Sequence, residues 1–195
     1  MKPYRLLAPA LLAALCACGS VASAPPNPAL ADAVMQSAEQ GGKFIALLGP
    51  RRPHAEPFLG VPGTNFYALR SWLDTRTGER VSQLYVEDSY FGAKRDWDAA
   101  RDSQGRPLKF VAISDNEITC EKGCSYAEEF AAELPEAMLR ASPAGLTVAF
   151  AAKSGARKTI RVPAELVAKQ LAALDAARAA LPAAAAAPPA GNPVR

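Results

Sequence analysis

Apolar runs along this chain are short, and glycine, proline and polar turn residues separate them. The first signal is helical: Asn27 suits a cap, Pro28 a first helical position, Leu30 and Val34 share a face, and Gly41-Gly42 ends the pattern. Residues 43–48, KFIALL, form an apolar run expected as a buried strand, and proline and glycine keep 49–63 irregular. Residues 65–73 and 79–87 are rich in aromatic and β-branched side chains and flank DTRTG, a good hairpin connection. In the same way 95–101 and 107–114 flank DSQG, 117–120 and 124–134 flank EKG, and 146–153 and 158–162 flank SGAR. Four successive hairpins predict an antiparallel meander. In 163–181, Val167, Leu171, Leu174 and Leu181 recur at helical spacing, Lys169, Asp175 and Arg178 lie largely elsewhere, and Pro163 and Glu165 suit the first turn. The fold class predicted for 28–181 is α+β. It is an antiparallel β-meander of about 7–8 strands with an N-terminal helix and a C-terminal amphipathic helix, a β-sandwich being the alternative.

The segment before this domain has a different character. Lys2 and Arg5 precede an apolar stretch from 6 to 17, shorter than the ~20 residues a spanning helix takes and proportioned like a secretory leader. Ala22-Ser23-Ala24 offers a small-x-small cleavage pattern, but Pro25 follows at once. Leu15-Cys16-Ala17-Cys18-Gly19 resembles the lipobox of bacterial lipoproteins, and the whole chain resembles the small outer-membrane lipoproteins of Gram-negative bacteria. The resemblance implies cleavage before Cys18, diacylglycerol on its sulfur and acylation of the new amino group. Gly19, where an aspartate would favour the inner membrane, points to the outer one. Several acyl chains give a firm anchor, whereas one chain alone binds marginally. On this reading 1–17 is a signal peptide, 18–27 a tether, and the Ala/Pro-rich stretch 182–195 a disordered tail.

Losing the leader takes Lys2 and Arg5 and no acid, so the 22 basic side chains become 20, against 19 acidic ones. A nearly neutral domain has no electrostatic footprint for nucleic acid, and none is expected as a partner. Alanine supplies much of the 50% hydrophobic content, so the core must come from a modest set of Leu, Val, Ile and aromatic residues.

Export to an oxidising compartment changes the meaning of Cys120 and Cys124. A structural zinc site needs four ligands, but the chain has one histidine and Cys18 is assigned to lipid. A disulfide across a tight hairpin fits best, with Gly123 supplying the turn's backbone freedom and a chain-entropy contribution of roughly 2 kcal/mol. A labile redox bridge and a metal site are the alternatives.

Candidate chemistry is sparse. His54, the one histidine, sits in RRPHAEP and reads as an exposed loop residue. Asp115 and Glu117 would share a strand face, as paired acids of a glycoside hydrolase could, and Asp96 and Asp98 flank Trp97. Arg51-Arg52 and Lys94-Arg95 are candidate basic patches. Glu128 is singled out by alternation: Tyr126, Phe130, Ala132 and Leu134 form an inward set that Glu128 interrupts, so it should pair with an arginine such as Arg70 or with a tyrosine hydroxyl, or lie at a bulge. No G-x-S-x-G, phosphate loop, H-E-x-x-H or EF-hand pattern occurs, and no catalytic residue, metal or cofactor is predicted. The expected function is a non-catalytic, lipid-anchored binding or assembly module facing the periplasm. It would be held to the outer membrane through Cys18, with an envelope protein or polymer as partner. A small carboxylate-dependent envelope hydrolase is the alternative.

Overall fold

The computed structural model describes residues 32–121 and 123–181. The expected signal peptide, Cys18, the tether and the C-terminal tail lie outside the described residues.

The chain forms β1 (Met35–Glu39), β2 (Phe44–Leu48), β3 (Arg52–Pro53), β4 (Phe66–Asp74), β5 (Arg80–Phe91), β6 (Trp97–Asp102), β7 (Pro107–Leu108), β8 (Phe110–Thr119) and β9 (Ser125–Glu133). These are followed by α1 (Glu136–Arg140), β10 (Leu146–Ala152), β11 (Arg157–Val162) and α2 (Ala164–Ala179). One sheet runs β1-β2-β4-β5-β9-β8, with β3 also paired to β4; the other runs β11-β10-β6-β7. The pairings in both are antiparallel.

The four hairpins form where the turn residues place them. At the first, the Asp74 carboxylate accepts the amides of Arg76 and Thr77, and Gly78 takes a positive φ of 70°. The meander does not stay in one sheet, however. Residues 107–114, expected as one strand, divide at Lys109: β7 pairs with β6, whereas β8 pairs with β9. The physical reason is burial. Each sheet has one apolar face, and a single broad sheet would leave too much of it wet. Leu84, Val86, Phe130 and Ala132 of the larger sheet instead share a core with Trp97, Val148, Phe150 and Ile160 of the smaller one. The protein is therefore richer in sheet than the predicted single meander with two flanking helices, and it accords with the two-sheet sandwich.

The N-terminal helix is a second correction. Residues from Met35 to Glu39 form an edge strand with every residue exposed, paired to β2 from Met35↔Leu48 to Glu39↔Phe44. Gly41 and Gly42, at φ 68° and 86°, make a reversal and do not stop a helix. The apolar strand β2 takes β1 as a neighbour and satisfies its backbone groups on that side.

α2 covers the far end of the larger sheet. Leu166 and Val167 join the shared core, while Leu174 and Ala177 pack with Leu47 and Leu73. Between them Gln170, 1% exposed, donates from Nε2 to the Leu47 carbonyl at 3.1 Å and to Ser71 Oγ at 2.9 Å. Arg140 on α1 bonds Asp175 at 2.5 Å, which ties the two helices together.

Candidate functional site

At one end of the sheets lies a cleft of about 270 Å³ lined by Asp96, Trp97, Phe110, Ser114, Asp115, Glu128 and Lys153, among others. Strand alternation places most of its groups. Tyr126, Glu128, Phe130 and Ala132 on β9 stand opposite Tyr90, Asp88, Val86 and Leu84 on β5, and all point between the sheets. Asp115 reaches the same side through an irregularity. Ala112 pairs with Phe130, but the register shifts before Ser114, so Asp115 stands opposite Glu128. The extra residue, Ile113, is 39% exposed, and the bulge re-aims the following acid into the cleft.

Glu128 is 4% exposed. It accepts the Tyr90 hydroxyl at 2.5 Å and the Asp96 backbone amide at 3.0 Å. The Tyr90 hydroxyl in turn accepts the Arg95 amide at 2.8 Å, and the Arg95 guanidinium lies 3.8 Å from the centre of the Tyr90 ring. Burial first, and then the Glu128 carboxylate it donates to, push the Tyr90 phenol well above its ordinary value. Of the two kinds of partner named from the sequence, a tyrosine fills the role. Arg70 does not, because its side chain emerges on the opposite face of the sheet. There it donates twice to Gln83 Oε1, at 3.0 and 2.8 Å, and stacks on Trp72 and Tyr85.

Behind Glu128 lies a second acid that the sequence reading missed. Asp88, directly opposite Glu128 in register, is 2% exposed. It accepts Arg95 Nη1 at 2.6 Å, the Trp97 indole at 3.0 Å and Lys158 Nζ at 2.9 Å. The signal was available: Ser82, Leu84, Val86, Asp88 and Tyr90 continue one inward set, as Lys158, Ile160 and Val162 do on β11. Asp88 thus faces two cations, whereas Glu128 is held by a hydroxyl and an amide, and these partners make the burial of both acids tolerable.

The remaining candidate residues separate. Asp115 pairs with Lys94, whose ammonium also lies 3.6 Å from Asp96, and Lys153 sits 3.8 Å from Asp96 on its other side. The Lys94 hydrogen bond holds the Asp115 carboxyl below the usual carboxylate range. Glu117 and Asp98 are exposed and outside the cleft lining. His54 is not a free loop residue: its Nε2 lies 2.7 Å from the Glu87 carbonyl and its Nδ1 3.1 Å from Lys158 Nζ. Arg51 and Arg52 do not act as one patch, since Arg51 lies over Phe66 while Arg52 pairs with Asp32.

Cys120 and Cys124 are joined by a disulfide at the tip of the β8–β9 hairpin. Gly123 within this loop adopts φ 112°, which a side chain would resist. The Cys124 carbonyl accepts the Gly92 amide at 2.9 Å, so the clipped tip is also tied to the end of β5.

Among the described residues no group of three or more His, Cys, Asp or Glu side chains is arranged to hold a metal ion. No helix among them is long and apolar enough to cross a membrane. No protein-family model, curated protein or solved structure matches this chain.

Proposed function

We propose that this chain is a non-catalytic binding module of the cell envelope, anchored at the outer membrane through lipid on Cys18 and facing the periplasm. Its ligand is a hydroxyl-bearing envelope polymer, which the cleft between Asp96, Trp97, Asp115, Glu128 and Lys153 contacts. The observation that carries this reading is the matching of charges in the cleft. Glu128 is held by a tyrosine hydroxyl and a backbone amide, Asp115 by Lys94, and Asp96 lies between Lys94 and Lys153. Acids fixed in this way are preorganised hydrogen-bond acceptors, whereas a general acid must gain and lose its proton near working pH. The partly exposed Phe110 ring beside those acceptors suits the apolar face of a sugar ring.

A second reading, a carboxylate-dependent hydrolase, is favoured by one fact: Asp96, Asp115 and Glu128 line the same cleft. Co-sedimentation of the full chain with purified sacculi, with assay of soluble sugar fragments in the supernatant, separates the two. Binding that weakens in Lys153→Ala and Asp115→Asn without released fragments supports the module. Fragments that vanish in Glu128→Gln establish the hydrolase instead. Absence of both binding and release rejects the polymer ligand.

A further inference from the structure

The connection from 49 to 65 carries β3, which pairs with β4 of the larger sheet, and His54, directly after β3, is where it also touches the smaller one. Its own backbone amide donates to the Asn65 carbonyl at 2.9 Å, which closes the loop on itself. Its ring then reaches the Glu87 carbonyl on β5 and the Lys158 ammonium on β11. An ammonium has three donors and no acceptor, so Nδ1 must be the accepting nitrogen and Nε2 must carry the proton donated to Glu87. Only the neutral ring makes both contacts.

We propose that His54 is an acid-sensitive latch: the neutral ring clasps the 49–65 loop to both sheets, and its protonation detaches the loop from β11. A proton on Nδ1 leaves two donors and two positive charges facing each other across 3.1 Å. The groups around the ring decide how readily this happens. β11 presents Lys158, with Arg161 on the rim of the adjoining cavity, and β4 presents the Tyr67 hydroxyl. β5 presents the Glu87 carbonyl and, further back, the Asp88 carboxylate. Arg52, two residues away, is engaged by Asp32. Asp88 alone among the charged groups attracts the proton, but it already serves Lys158, Arg95 and the Trp97 indole. Burial and then Lys158 hold the ring's pKa below its ordinary value.

The sign follows from linkage. Above the ordinary histidine value of about 6.5 the ring is neutral in both folded and unfolded chains, and the latch contributes in full. As pH falls below that value the unfolded chain takes up a proton that the folded chain refuses, so stability declines until the folded ring titrates. There the latch opens. What loosens is the hold of this connection on β11; β3 stays paired to β4, and Phe58 stays packed on Phe91.

Because His54 is the only histidine of the chain, its ring resonances need no assignment strategy. Long-range ¹⁵N–¹H spectra of the unaltered full chain at neutral pH should show the Nε2–H tautomer, and a pH titration should give a midpoint below the ordinary value. Amide protection factors between 54 and 65 should drop at that same midpoint, while those of β3, β4 and β5 persist. Lys158→Met should move the midpoint upward. An Nδ1–H tautomer, a midpoint at or above about 6.5, or loop protection that ignores the ring's titration overturns the latch. These readings do not involve the cleft, so they stand or fall apart from the polymer-binding assignment.

Discussion

Replacing Asp88 by asparagine keeps the side chain's shape and removes its charge from between Arg95 and Lys158. Breaking a buried ion pair by deleting one partner costs ~3–5 kcal/mol, because the remaining charge stays desolvated. Here the remaining cations are partly wet, with side-chain exposures of 16% for Lys158 and 31% for Arg95. The lower end of that range, about 3 kcal/mol, is therefore the expected loss. For a domain of this size it corresponds to a fall in Tm of roughly 6–12 °C. Urea unfolding followed by tryptophan fluorescence measures it, and Trp97, which donates to Asp88, reports on the site itself. The control is Asp115→Asn, whose carboxylate is 61% exposed and whose pair with Lys94 is worth under ~1 kcal/mol. A second variant, Lys158→Met, supplies the coupling: Asp88→Asn with Lys158→Met should cost clearly less than the sum of the two alone. If Asp88→Asn proves as mild as Asp115→Asn, or if the double variant is additive, the buried charge balance described above is wrong.

Glu128→Gln presents an amide where both the Tyr90 hydroxyl and the Asp96 N–H need an acceptor, so it should cost about 2 kcal/mol. Glu129→Gln, on the outer face, should stay within about 0.5 kcal/mol in the same melting experiment. The Cys120→Ser/Cys124→Ser double variant should remain folded but lose roughly 2 kcal/mol, and thiol titration of the unaltered oxidised chain should find neither cysteine free. Membrane fractionation should show Cys18→Ala released from the membrane or stalled in processing, with Cys16→Ala unaffected. Correctly cleaved Cys18→Ala protein still held in the membrane would remove the anchor from the account.

Local chemistry accounts for what could be read from the sequence. The hairpins are set by residues a few positions apart, such as Asp74 accepting two amides of its own turn, and the inward set on β9 follows from strand alternation alone. What escaped depends on distant partners. Nothing near Lys109 marks it as the point where the chain leaves one sheet for the other; that follows from Ala100 claiming Leu108 and Ala132 claiming Phe110. Residues 35–39 lack the apolar alternation of a strand because they form an exposed edge, and their partner β2 decides their state. The aim of Asp115 rests on a bulge that alternation counts cannot see. His54 looked like a loop residue because Lys158, which fixes its tautomer, is 104 positions away.

The opposed acids Asp88 and Glu128 bear on the pairing of β5 with β9 in a way that their stability cost does not capture. Sliding β9 by two residues keeps every side chain on its own side of the sheet, so hydrophobic alternation alone tolerates the slip. The acids do not tolerate it. Moved one way, Glu128 faces Val86 in the shared apolar core and loses its rung opposite Asp88; moved the other, Phe130 faces Asp88 and Glu128 loses the amide of Asp96. A greasier pair of strands would have several acceptable alignments, whereas this one has a polar rung that fits at a single height. Replacing both acids with leucine could therefore leave a domain that melts no lower and yet exchanges among registers. The charges in the middle of this protein act as a vernier for its largest sheet.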